Sequence, residues 1–182
     1  MAASQISSEQ ISQVSELVAA YISEQRERFV SLAANLFSAQ KAQLMGFFSP
    51  DLLESTRVVV LQKERIGNPG FYPMLRSWGF SNLPEFTQMA AVTFQDVIVS
   101  HEPFSDALLF HELVHVEQYR QVKVPRFAEL YVRGFLTGGG YDGIPLEINA
   151  YDLGGRFEVE PQRPFSVERE VSRWIAQDRF QP

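Results

Sequence analysis

The chain contains no cysteine among its 182 residues. Disulfides, thiolate nucleophiles and Cys-ligated zinc or iron–sulfur sites are therefore excluded. Histidine is scarce as well, at three residues, so a metal would have to draw on few imidazoles and otherwise on carboxylates. Of the 16 basic residues only three are Lys and 13 are Arg, scattered with no basic tract. With a net charge of −6 and a pI near 5.1, nucleic acid and anionic membrane surfaces are poor partners. No apolar run approaches the ~18 residues of a membrane span. The opening MAASQISSEQ has neither the positive nor the apolar region of a secretory leader. A soluble cytoplasmic protein is the expectation, with specialised export left open.

What is present is an ordinary globular composition, 45% hydrophobic and 21% charged, at a length that buries about 70% of the unfolded surface in one domain. Apolar residues at spacings of three, four and seven (Val14, Leu17, Val18, Tyr21, Ile22, Phe29, Leu32, Leu36, Leu44) predict one long scaffold helix from Ser8 to Met45. Ser49-Pro50-Asp51 reads as a cap with Pro at the first helical position of a short helix. RVVVLQ (Arg57 to Gln62) reads as a buried strand, and Tyr72 to Phe80 as a brief helix carrying Trp78. Ala91 to Phe94 and Val97 to Ser100 read as two short strands, or as one strand with a bulge. Ser105 or Asp106 then caps a helix that stops before Pro125. Further helices follow over Arg126 to Leu136, Ile144 to Leu153 (ended by Gly154-Gly155) and Ser166 to Asp178. The expected fold is a single α+β domain over residues 1–182, with a long amino-terminal helix within 1–46 and a core within 91–157.

The chemistry is carried by His111-Glu112-Leu113-Val114-His115, an HExxH motif. On a helix its two His lie one turn apart on one face, where both imidazoles reach a single cation. Glu112 projects about 100° from His111, so its carboxylate is free to take a proton from a water that the metal acidifies. Neutral imidazole suits zinc. Chance placement produces the pattern in roughly one of several hundred chains of this composition.

Two His do not complete a catalytic site, which usually has three protein ligands. The extended metzincin motif requires Gly at 118 and His at 121, and this chain has Gln118 and Gln121. Glu147, in PLEINAYD, is the best remaining donor: 31 residues separate it from His115, room for a bridging helix and a reversal at the glycines 138–140. His101 and Glu129 are rivals for the third position, and Asp152 is a candidate to orient a ligand His. Tyr141, Tyr151, His101 and Arg156 are candidates to donate to an oxyanion, Tyr141 from a glycine-flanked loop. The same glycines lack the GK[ST] that a phosphate cradle needs, and no G-x-S-x-G is present for a serine hydrolase.

HExxH followed by a downstream helical Glu resembles the gluzincin branch of the zincin-like metallopeptidases. More narrowly, FHELVHVEQY followed by PLEINAYD is similar to small bacterial zincin-like domains of mostly uncharacterised function. The resemblance spans about Ala91 to Phe157, and the flanking helices match by pattern only. It implies Zn2+ held by His111, His115 and Glu147, Glu112 as general base and later proton donor, and a strand at Ala91 to Ser100 that pairs with an extended peptide. The thermolysin-type pattern has an Asp four residues beyond the ligand Glu; here Tyr151 stands there and Asp152 follows. That implies a different backbone or a different group to orient His111. The expected function is zinc-dependent hydrolysis of peptide bonds in a peptide or protein substrate. The alternatives are a metal-stabilised interaction domain with little or no peptidase activity, and a zinc hydrolase of a non-peptide amide.

Overall fold

A computed structural model describes residues 7–181. Residues 1–6, which belong to the segment read as lacking a leader, lie outside the described residues. The described residues form an α+β fold of seven helices and a small mixed sheet of four strands. No helix among them is long and apolar enough to cross a membrane.

Helix α1 (Ser8–Val30) starts at Ser7, whose side chain accepts from the Gln10 amide while the Gln10 side chain accepts from the Ser7 amide. This capping box satisfies amides that the first turn leaves orphaned. Ile11, Val14, Ile22 and Phe29 form its buried face. The expected continuation to Met45 does not occur. A helix of that length would run about 57 Å, against a diameter of roughly 40 Å for a globule of this size. The chain instead turns after Val30, leaving Leu32 65% exposed. Strand β1 (Ala34–Asn35) then pairs antiparallel with β2 (Arg57–Val60), and α2 (Ser38–Leu44) follows. The turn returns Leu36 and Leu44 to the core, so the apolar spacing was real and the single helix was not.

Helix α3 (Pro50–Ser55) has the expected Ser49 cap and Pro at its start. Strand β2 lies parallel to β4 (Val97–Ser100), and β4 makes an antiparallel hairpin with β3 (Ala91–Phe94), giving the order β1-β2-β4-β3. The two readings of residues 91–100 thus resolve in favour of two strands, joined through Gln95 at φ 62°. Arg26 of α1 grips the Asp96 carboxylate with Nε and Nη2, a bidentate pair that ties the first helix to the hairpin turn. Strand β3 is left as the sheet edge, with α1 and α5 packed against it.

The short helix α4 (Tyr72–Ser77) precedes the hairpin. Helix α5 (Asp106–Thr137) is capped by Ser105 and interrupted at Lys123, where φ is 66° and ψ 161°. Pro125 has no amide N–H to offer the Gln121 carbonyl and its ring clashes there with a continuous helix, so the helix breaks two residues before it, as the sequence indicated. A 3-10 turn (Tyr141–Gly143) leads to α6 (Pro145–Val159). Contrary to expectation α6 continues through Gly154-Gly155, because burying Leu153 and Phe157 outweighs the ~1 kcal/mol that a helical Gly costs. Helix α7 (Val167–Ala176) starts at the Ser166 cap. Phe110, fully buried, stacks on Phe157 with centroids 4.4 Å apart, and Phe47 meets both edge-on. Phe110 immediately precedes His111, so this aromatic contact sets the spacing of α5 and α6 where they carry the candidate ligands.

Candidate metal centre

His111 and His115 share the inner face of α5, and Glu147 sits in the first turn of α6, where a helix N-terminus favours a carboxylate. The reversal between them depends on two glycines. A Cβ on Gly138 would stand 2.5 Å from the carbonyl oxygens of Gly134 and Gly143, and one on Gly143 would stand 2.0 Å from the Gly138 oxygen. Only bare backbones pack this closely. The turn so formed delivers Glu147 to the histidines.

The three ligand atoms make a compact triangle. His111 Nε2 and His115 Nε2 are 3.1 Å apart, and Glu147 Oε2 is 3.4 Å from each. Atoms bound tetrahedrally at the usual Zn–N and Zn–O lengths stand roughly 3.3 Å from one another, so the triangle has the dimensions of one face of such a tetrahedron. It is also the group among the described residues that has the spacing of a metal site. Oε2 is buried and receives no hydrogen bond, because neither imidazole approaches it with donor geometry. A buried carboxylate oxygen left without a donor is costly, and a cation would satisfy it.

Gln118, fully buried one turn beyond His115, decides the state of that imidazole. Its amide nitrogen donates to the Leu146 carbonyl and to Asn149 Oδ1, both at 2.9 Å. The oxygen must therefore face His115, and it accepts from Nδ1–H at 2.9 Å. With Nδ1 protonated, the lone pair of the neutral ring lies on Nε2, as a metal ligand needs. Burial alone would push His115 down, but the Glu147 charge, then the Glu112 charge and the Gln118 oxygen, raise it to about 9. Burial would push Glu147 up; His115 and His111 outweigh it and hold the carboxyl well below its ordinary value. Without a cation the cluster thus keeps a proton on an imidazole.

Glu112 is buried beside this cluster, and Thr93 of β3 donates its hydroxyl to Glu112 Oε2 at 2.6 Å. One carboxylate oxygen is thereby anchored to the edge strand. A cleft of about 690 Å³ opens along His111, Glu112, Tyr141, Tyr151 and the β3 margin at Ala90 and Ala91. Tyr141 lies on the rim. Burial, followed by the Glu147 charge, drives its hydroxyl well above the ordinary range, so it remains a proton-bearing donor. The Tyr151 ring packs against His111 with centroids 4.6 Å apart.

The other candidates are placed elsewhere. His101, read as an oxyanion donor or third ligand, has both ring nitrogens committed to backbone: Nε2 accepts from the Ile66 amide at 2.9 Å, and Nδ1 donates to the Met89 carbonyl at 2.7 Å. It clamps two loops together and borders neither the cleft nor the metal cluster. Glu129 is paired with Arg126 and Arg133. Asp152 is exposed. Arg156 lies over the Phe165 ring at 3.9 Å and pairs with Glu170. Sequence reasoning assigned no role to Thr93, Gln118 or Asn149. The i, i+3 spacing of His115 and Gln118 was the available signal for one of them; the Thr93 and Asn149 contacts arise only when separate elements meet.

Comparison with known proteins returned no match: no family model fits the chain, and no curated protein or solved structure aligns with it significantly.

Proposed function

We propose that the chain is a zinc-dependent peptidase of zincin-like architecture. The observation that carries this reading is the triangle of His111 Nε2, His115 Nε2 and Glu147 Oε2 beside a buried Glu112. A bound zinc supplies a Lewis acid for the scissile carbonyl and lowers the pKa of water towards ~7. The protein residues supply the rest. Glu112, with one oxygen held by Thr93, takes the proton from the attacking water and returns it to the leaving amine. Tyr141, kept protonated, donates to the oxyanion that develops on the carbonyl. The edge strand β3 offers its free backbone groups to an extended substrate lying in the cleft.

Glu112→Gln is the decisive variant. It should retain stoichiometric zinc by elemental analysis and lose turnover of a mixed peptide library followed by mass spectrometry. Full activity in that variant would overturn the mechanism. If Glu112→Gln is silent while His111→Ala lowers the melting temperature, the metal has a folding role and the chain is an interaction domain instead.

A further inference from the structure

The cleft has an arm that leads away from the candidate metal centre. Helices α5 and α6 run antiparallel, with Phe110 opposite Phe157 and Gln118 opposite Asn149. Beyond His111 and Tyr151 the cleft follows the groove between them, bordered by Ala107 and Leu108 of α5 and by Gly154, Gly155 and Glu158 of α6. From Tyr151 the α6 members recur at helical spacing, so they form one stripe along the helix.

The two glycines have no reason in the packing. A Cβ on Gly134, Gly138 or Gly143 would meet another group at 2.6 Å or less, whereas one on Gly154 or Gly155 would meet nothing within 4 Å. Gly is a poorer helix former than Ala, so this pair weakens α6 without relieving any neighbour inside the protein. What it keeps open is the groove. A bare helix backbone on the groove floor admits close approach of a ligand's own backbone.

The groove also has a sign. Glu85, Glu112 and Glu158 border the cleft, and among the described residues no Lys or Arg does. Thr93 anchors Glu112, while Asn68 and Arg76 engage Glu85. Glu158 is exposed, and its carboxylate has no ion pair among the described residues; the arginines nearest in sequence, Arg156 and Arg163, pair with Glu170 and Glu160. A carboxylate at the end of a groove without cations favours a positively charged occupant. Glu158 lies eleven residues beyond Glu147, about 16 Å along the helix axis. An extended peptide advances about 3.3 Å per residue, so about the fifth residue from the metal centre comes level with Glu158, after the chain has passed the glycines.

We propose that this arm selects substrates carrying a Lys or Arg about five residues from the scissile bond, with the cationic group at Glu158 and the intervening backbone on Gly154 and Gly155. The proposal rests on the peptidase reading for its reference point at the metal.

The test uses the zinc-loaded full chain and oligoalanine hydroxamates, whose chelating group fixes one end at the metal, with a single Lys walked from the second residue to the seventh. Two series carry the hydroxamate at opposite ends, so both chain directions are read by calorimetry. In one series affinity should peak with Lys at the fourth to sixth residue, about threefold above the all-alanine parent, the size of an exposed ion pair. Glu158→Lys should abolish that peak and transfer it to peptides with Glu in the same place. The double variant Gly154→Ala/Gly155→Ala should bind peptides longer than three residues about tenfold more weakly, with zinc content and acetohydroxamate binding unchanged. It should also melt about 4–8 °C higher than wild type, because Ala is the better helix former. A profile flat in both series, a peak that survives Glu158→Lys, or long peptides that bind the double variant as they bind wild type would each overturn the proposal, and with acetohydroxamate still bound they leave the peptidase reading standing. Should zinc or acetohydroxamate itself fail to bind, the peptidase reading falls and the proposal falls with it.

Discussion

Replacing Gln118 by Met removes the group that fixes the His115 tautomer while preserving side-chain length. Three hydrogen bonds of 2.9 Å disappear: from His115 Nδ1–H, to the Leu146 carbonyl and to Asn149 Oδ1. The partners stay buried, and each buried group left unsatisfied costs about 1–3 kcal/mol. Asn149 offers partial relief. Its Nδ2 has no partner in the native arrangement, so its amide can turn without losing a bond. The thioether recovers some packing, and a net loss of about 3 kcal/mol is expected, equivalent to roughly 6–12 °C in melting temperature for a chain of this size. Metal affinity should fall separately, by about 10–100-fold, the usual effect of losing the partner of a ligand His. Chemical denaturation of the metal-free protein gives the first quantity, and competition with a chromophoric chelator gives the second. A Gln118→Met protein with wild-type zinc affinity would refute the claim that this amide prepares Nε2, even if stability fell as expected.

Metal uptake should release protons. In the metal-free protein His115 titrates near pH 9, so a metal must displace its proton at neutral pH. Calorimetry in buffers of different ionisation enthalpy should find about one proton released from His115 per zinc at pH 7, in addition to that from zinc-bound water; the absence of any release would contradict the His115–Glu147 pairing. The same raised pKa stabilises the metal-free fold. Its contribution is complete below the ordinary His pKa of about 6.5 and is lost as pH rises through 9. Thr93→Val removes the hydroxyl that anchors Glu112 Oε2 without altering shape, so kcat should drop about tenfold with zinc content intact. Gly143→Ala places a Cβ 2.0 Å from the Gly138 oxygen. That should open the reversal before α6 and weaken zinc binding, as elemental analysis after dialysis would report; retained affinity would mean that Glu147 does not depend on this turn.

Much of the site was legible in the chain itself, because HExxH is local. Its two imidazoles share a face once residues 106–122 are helical, and a cap at Ser105 or Asp106 and the Pro at 125 bracket that helix. Glu147 could be nominated as well, since scarcity of His and absence of Cys left few donors and the glycines before it signalled a reversal. Local chemistry likewise signalled the cap at Ser49, a last helix starting at Ser166 and the extended stretches that became β2, β3 and β4, although it left open whether residues 91–100 form two strands or one with a bulge. The end of α1 was not local. Leu36 and Leu44 keep helical spacing with the residues before them, yet the competing gain is pairing β1 with the free edge of β2, whose position depends on residues 57–60 and 97–100. Gly154-Gly155 misled for the same reason, since the burial of Phe157 against Phe110 outweighs an intrinsic preference worth about 1 kcal/mol per residue.

The tertiary structure alone decided which polar residues the candidate ligands would meet. His101 lies ten residues from His111 and looked available, but distant loops at Ile66 and Met89 occupy both its nitrogens. Thr93 reaches Glu112 because β3 runs over α5, and Asn149 reaches Gln118 because α6 packs beside it. A sequence states which donors and acceptors exist and which face of an element they occupy. Which donor meets which acceptor across elements is set by the packing of the apolar faces, here the Phe110–Phe157 stack and the close glycine turn, and no spacing along the chain encodes that distance.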